Sequence, residues 1–267
     1  MMCRFLAHLG HTEILLNELL QKPENSLIKQ SHEAREGGRC GINADGFGIA
    51  WYKLDIDSEP GVFKSTQPAW NDNNLKHLSR KIRSSCFLAH VRASTVGDVN
   101  QNNCHPFAYK QYAFVHNGTI RNFDHYKRDF IQALDEDLFL KISGNTDSEH
   151  LFFLIMNFIK HGNSLEIAVK KAIAWVVNAQ KNRDDFSKIN IAITDGNTLI
   201  ATRFSSKGEK PLSLHYNTQF FGKNKIPSLV LSSEALDDEN DSWEDIPPNS
   251  YLFFSREDMK VVINPVA

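Results

Sequence analysis

Short apolar runs, each closed by glycine or polar turn residues, stand on both sides of a single pair of helical segments. This order restricts the fold more than any other feature of the chain. Before the pair the runs occupy residues 47–54, 86–91 and 112–116; after it they occupy 189–194, 198–202, 228–232, 251–254 and 260–263. Runs of this length read as strands, and Asp195-Gly196-Asn197 between two of them is a hairpin signal. The first helix opens at Thr146-Asp147-Ser148-Glu149, a capping-box pattern ahead of an apolar stretch, and stops at Gly162. Ser164 opens the second, with Leu165, Ala168, Ala172, Val176 and Ala179 on one stripe. Strands, a central helix pair and more strands predict an α+β fold of layers with largely antiparallel sheets. Residues 237–245 are the most polar stretch and read as a surface loop. No repeat, linker or composition shift marks a boundary, so a single domain over residues 1–267 is expected.

Composition narrows the partners. The chain is 41% hydrophobic and 23% charged, enough apolar material for a substantial core. A formal charge of -2 supplies no basic field for nucleic acid or an anionic membrane, so a small-molecule ligand is expected. Cysteines at 3, 40, 86 and 104 form neither a disulfide framework nor a metal-spaced pair, which fits a reducing cytoplasm. The start lacks the apolar core of a signal peptide, and no segment has the apolar length of a membrane helix.

Four short elements carry chemistry. Cys3 lies at the extreme N-terminus, where a free α-amino group on the nucleophile's own residue would have a pKa of about 7.7 to 8.0 and serve as general base. Taken alone, Cys3 reads as a small apolar residue opening a buried strand. In Val115-His116-Asn117-Gly118 an apolar run ends at Asn-Gly, by default a turn. As a functional element, the Asn117 amide and the Gly118 N–H would converge on an oxyanion, each such donor being worth about 3 to 4 kcal/mol of barrier. Arg92 follows another apolar run and can hold a carboxylate through two parallel hydrogen bonds. Asp147 can pair with an ammonium group, although an acid in the first turn of a helix also serves the macrodipole. Cys104-His105-Pro106 lacks the second ligand pair a zinc site needs. Asp45-Gly46-Phe47-Gly48 lacks the lysine and spacing of a phosphate loop and reads as a tight turn.

In this order the elements resemble the class II glutamine amidotransferases of the N-terminal nucleophile hydrolase superfamily. The resemblance rests on Cys3, residues 43–52, Ala89-His90-Val91-Arg92, Asn103-Cys104-His105-Pro106-Phe107, His116-Asn117-Gly118 and Asn145-Thr146-Asp147-Ser148-Glu149. Ser232-Ser233-Glu234-Ala235-Leu236 and residues 243–248 resemble later signatures of a small stand-alone branch, similar to ergothioneine-pathway and glutathione-degradation γ-glutamyl hydrolases. The resemblance implies a four-layer αββα sandwich. It also implies that Cys3 attacks a γ-glutamyl amide through a thioester, that Asn117 and Gly118 hold the oxyanion, and that no metal or cofactor is needed. Arg92 and Asp147 would grip the α-carboxylate and α-amino ends of the glutamyl group, with Thr95 and His105 in support. The substrate is then glutamine, with ammonia passed to a separate partner protein, or another γ-glutamyl compound, with a separate peptidase as a conceivable partner.

One departure bears on all of this. The family nucleophile follows one initiator methionine, whereas Cys3 follows Met1 and Met2. Cys3 has a free amine only if translation starts at Met2 or a protease trims the chain. With both methionines retained, the alternative is a catalytically silent glutamyl-binding sensor or scaffold.

Overall fold

The computed structural model describes residues 2–36, 42–94, 97–221, 227–238 and 242–266. Among them the strands run β1 (Arg4–Leu15), β2 (Phe47–Lys53), β3 (Asp57–Ser65), β4 (Arg83–Val91), β5 (Phe107–Tyr109) and β6 (Tyr112–Ile120). They continue as β7 (Ser187–Thr194), β8 (Thr198–Arg203), β9 (His215–Asn217), β10 (Ser228–Ser232), β11 (Glu244–Asp245), β12 (Ser250–Ser255) and β13 (Val261–Pro265). The helices are α1 (Asn17–Leu20), α2 (Leu27–Gln30), α3 (Asn73–Ser79), α4 (Lys127–Ala133), α5 (Glu136–Phe139), α6 (Asp147–Lys160) and α7 (Leu165–Ala179).

The strands form two antiparallel sheets, ordered β11-β9-β10-β1-β4-β2-β3 and β13-β12-β8-β7-β6-β5. Strand alternation sends successive side chains to opposite faces, so each sheet has two faces to cover. Three apolar clusters meet that demand. Phe5, Ala7, Leu9 and Leu88 of the first sheet pack between the sheets against Val115, Ala192, Ala201 and Leu252 of the second. Leu6, Phe47, Phe87 and Val230 cover the first sheet's outer face with Leu19, Leu27 and Leu75 from the short helices. Phe114, Ile189, Ile191 and Ile193 cover the second sheet's outer face beneath α6 and α7. Helices, sheet, sheet and helices give the αββα sandwich that the resemblance implied.

Local chemistry explains the helix ends. Thr146 accepts a hydrogen bond from Glu149 N, as the capping pattern predicted. Glu149 instead reaches past the cap and accepts from Ser143 N and Gly144 N, tying down the incoming loop. Ser164 caps α7 through Ile167 N, and Gly162 turns the chain at φ +81°. The predicted 195–197 hairpin closes with Asp195 Oδ1 accepting from Asn197 N and Thr198 N.

Some expectations differ from the structure. The 112–116 run does not end at Asn-Gly. It continues as β6 to Ile120, because Asn117 and Gly118 stay in register with Asn190 and Ile189 of β7. Strand β3 lacks apolar periodicity because it is a half-exposed edge, and β11 lies inside the stretch read as a loop. No helix among the described residues is long and apolar enough to cross a membrane.

Candidate active site

The two sheets are apolar where they face each other near mid-strand and become polar at one end. On β6, Ala113 and Val115 belong to the inter-sheet core, so alternation puts Asn117 on the same face. Asn190 on β7 is its cross-strand partner. On β1, Phe5, Ala7 and Leu9 belong to that core, so Cys3 extends the row toward the same end. The end where both sheets turn polar is the candidate site.

Cys3 is half-buried, and its Sγ lies 3.4 Å from both Ala93 O, to which it donates, and Ala93 N, from which it accepts. Burial pushes the thiol up to about 11, against lowering by the Ala93 hydrogen bond and by Arg92. Asp147 also raises it and Arg4 also lowers it, so Arg92 and Asp147 both act electrostatically on the thiol. The preceding carbonyl, Met2 O, accepts from Asn43 Nδ2 at 2.9 Å and Arg4 Nη1 at 3.1 Å.

Arg4 is anchored in turn. Its Nε meets Glu234 Oε1 at 2.9 Å in a buried ion pair, and its guanidinium also donates to Cys3 O and Glu36 O. Glu234 additionally accepts from Arg35 N and Glu36 N. Ser233 closes the arrangement, accepting from Phe5 N through its hydroxyl and donating its own N–H to Phe5 O. The 232–236 stretch therefore braces the strand that carries Cys3, which the sequence signature did not reveal.

Gly118 has a steric reason. A Cβ there would lie 1.9 Å from Lys188 O and 2.5 Å from His116 Nε2. His116 O accepts from His90 Nε2 and Ile120 N donates to Asp147 Oδ2, both on the β6 edge away from β7. Alternation along the strand points Gly118 N–H to that edge, between the two. Asn117 is buried, its Oδ1 has no hydrogen-bond partner among the described residues, and it lines a cavity of about 430 Å³.

Arg92 is buried and donates to Asp98 O, Gly97 O and Ser94 Oγ at 3.0 to 3.3 Å, so its position is fixed by the loop that follows it. Asp147 accepts from Ile120 N, Ser148 N and Ser148 Oγ. A carboxylate has about four acceptor positions, which leaves room for one more donor. His105 is buried, stacks on His90 at 4.1 Å, and has no hydrogen-bond partner at either ring nitrogen among the described residues. Burial, then the charges of His90 and His116, hold it well below 6.5 and thus neutral. Thr95 lies outside the described residues.

Residues 45–48, read from sequence as a tight turn, bring these parts together. Asp45 Oδ2 accepts from Ser94 N, Gly46 sits at φ +110°, and a Cβ at Gly48 would lie 2.3 Å from His105 O. Among the described residues no three metal-ligating side chains cluster to hold an ion. The cavity's far wall was not foreseen: Lys188, Arg203, Lys210 and His215 line it with Met2, Arg4 and Asn117. Lys188 and Arg203 share the inter-sheet face with Asn117, a signal that needs the strand register to be visible.

The sequence profile described as glutamine amidotransferases class-II matches residues 21–266. The chain belongs to the class II glutamine amidotransferases. The profile match begins beyond β1, but relatives align over 99% of this chain. The "Probable glutamine amidotransferase DUG3" of Saccharomyces cerevisiae is 34% identical over 99% of this chain and 84% of its own length. A "Gamma-glutamyl-hercynylcysteine sulfoxide hydrolase" of Mycolicibacterium smegmatis is 27% identical over 99% of this chain and all of its own. A solved glutamine aminotransferase class-II domain protein from Silicibacter pomeroyi superposes with a TM-score of 0.72 at 25% identity, covering 98% of both chains. Family and fold together support an amidohydrolase mechanism of the class II type.

Proposed function

We propose that residues 1–267 act as one catalytic domain that hydrolyses the γ-glutamyl amide of a γ-glutamyl compound, with Cys3 as nucleophile once it is the first residue. The observation that carries this reading is the setting of Sγ. Its hydrogen-bond partners are the backbone N–H and carbonyl of Ala93, and no side-chain base among the described residues is bonded to it. Its own α-amine, freed by loss of Met2, is then the base at hand, with an ordinary pKa near neutrality.

The thiol proton passes to that amine as sulfur attacks the amide carbon. Asn117 Nδ2 and Gly118 N–H hold the resulting oxyanion, Arg92 takes the glutamyl α-carboxylate, and Asp147 uses its open acceptor position for the α-ammonium. Thr95 and His105 support that grip. Collapse breaks the C–N bond, the leaving amine takes the proton back, and a thioester remains. Water, deprotonated by the same amine, attacks the thioester; glutamate leaves and the thiol is restored.

The cavity favours a γ-glutamyl compound over free glutamine. Its volume of about 430 Å³ far exceeds the need of departing ammonia, since a water molecule takes about 30 Å³. One relative is named as a hydrolase of a γ-glutamyl compound, which agrees. Ammonia transfer to a separate partner protein is the second form of the same chemistry. With Met2 retained, the amine is a peptide nitrogen and the thiol at about 11 is protonated, the state of a silent glutamyl-binding domain.

The test couples intact mass to turnover. Protein from its native host is expected to begin at Cys3 and to release glutamate from γ-glutamyl amides. Cys3→Ala is expected to lose at least about three orders of magnitude in kcat. Complete retention of Met1 and Met2, or unchanged turnover by Cys3→Ala, would refute this reading.

A further inference from the structure

The cavity that begins at Asn117 and Met2 ends in a wall richer in bases than in acids, the acids being Glu36 and Asp245, and most of its charges already have partners. Arg4 is paired with Glu234, and Arg203 meets Asp245 at 3.6 Å while donating to Leu212 O and Ile246 O. His215 lies between Glu36 and Asp245 at 3.1 and 2.7 Å. Two lysines are different. Among the described residues Lys188 has one ion pair, a 3.5 Å contact with Glu209, and lies over the Phe186 ring at 5.6 Å, and Lys210 makes no ion pair although it lines the cavity.

Lys188 stands on paired strand backbone, and Lys210 is exposed beside a bonded segment. Lys188 pairs with Thr119, two residues beyond Asn117, and its carbonyl lies against Gly118. Lys210 leads into a segment held by three hydrogen bonds: Asn190 Nδ2 donates to Leu212 O and Ser213 O at 3.1 Å, and Arg203 Nε donates to Leu212 O at 2.9 Å. Asn190 is itself the cross-strand partner of Asn117. One row of side chains thus links the oxyanion position to the segment that presents Lys210.

We propose that Lys188 and Lys210 form an anion subsite that binds a carboxylate carried by the leaving amine, so that the substrates are γ-glutamyl amino acids and γ-glutamyl peptides. This deepens, and rests on, the γ-glutamyl hydrolase reading. A carboxylate on the leaving group would complete the charge pairing of the wall, whereas ammonia or a neutral amine leaves Lys210 unpaired.

The test uses purified protein verified by mass to begin at Cys3, with γ-glutamylglycine and γ-glutamylglycinamide as probes. They differ only in the terminal carboxylate. At low salt the acid is expected to exceed the amide in kcat/KM by about 10-fold or more, the scale of a hydrogen bond to a charged group. Lys210→Met is expected to shrink that ratio, Lys210→Glu to invert it, and Lys210→Arg to preserve it, in variants that melt like the parent. Equal kcat/KM for the two probes, or a ratio unmoved in a Lys188→Met, Lys210→Met double variant, would overturn the subsite while leaving the hydrolase reading intact. Absence of glutamate release from both probes would remove the hydrolase reading, and the subsite with it.

Discussion

The Arg92–Asp147 end of the site draws its contacts mainly from short stretches of chain, whereas the cavity end draws them from residues far apart. Arg92 is held by Ser94, Gly97 and Asp98, and Asp147 by Ser148 and Ile120. The cavity end joins Arg4 to Glu234 across 230 positions and Glu36 to His215 across 179. The first end consists mostly of charged side chains satisfied by backbone groups, which in the proposed reaction would serve as a rigid mould for the glutamyl headgroup. The second consists of ion pairs between residues distant in sequence, where, on the proposed reading, a change of residue would alter which leaving group fits without disturbing the first end. A site divided in this way keeps its chemistry constant and leaves its specificity open to adjustment.

The largest test of that division lies beneath the cavity. Glu234→Gln removes the charge opposite buried Arg4, and breaking a buried pair on one side costs about 3–5 kcal/mol. Urea denaturation is expected to show that loss, because Glu234 also ties down the backbone of Arg35 and Glu36. A loss near zero would mean that the cavity end is not braced from this residue.

At the opposite end, Arg92→Lys keeps the charge but not the planar fork. Loss of charge-assisted hydrogen bonds of about 1.5–3 kcal/mol is expected as a fall in kcat/KM, carried mainly by KM and equal for every γ-glutamyl probe. A fall that differed between leaving groups would break the proposed division of labour.

The smallest effect concerns pH. Burial pushes His215 down, but the hydrogen bond and charge of Glu36, with Asp245, outweigh this and raise it above 6.5. The same hydrogen bond to His215 lowers Glu36 below 4.5, against burial. The histidine's contribution is complete below 6.5 and lost as pH rises through its raised value. The glutamate's is complete above 4.5 and lost as pH falls through its lowered value. The contact is therefore strongest between about pH 4.5 and 6.5. Glu36 is 39% exposed at its side chain, so solvent screening limits the effect to under about 1 kcal/mol. Thermal melts of wild type and His215→Asn are expected to differ most in that window and to converge at alkaline pH. A difference that grows with pH would contradict the assignment.

What was legible in the chain follows the same divide. The capped helix pair, the 195–197 hairpin and the apolar runs could be read because each is specified by residues a few positions apart. The Asn117-Gly118 pair, by its residue types a turn, lies inside β6, since turn preference yielded to the pairing of β6 with β7. Strand β3 was missed because edge strands lack a buried face to impose a period, and the short helices α1 to α3 because their pattern depends on the sheet they cover.

The sequence by itself determined the layered α+β class and the order of Cys3, Arg92, Asn117, Gly118 and Asp147, because strands, caps and short motifs are local. Only the tertiary structure decided that Arg4, Lys188, Arg203, Lys210 and His215 surround one cavity. Side chains from strands far apart in the chain share a face only when sheet register aligns them, and register is set by the packing of whole layers.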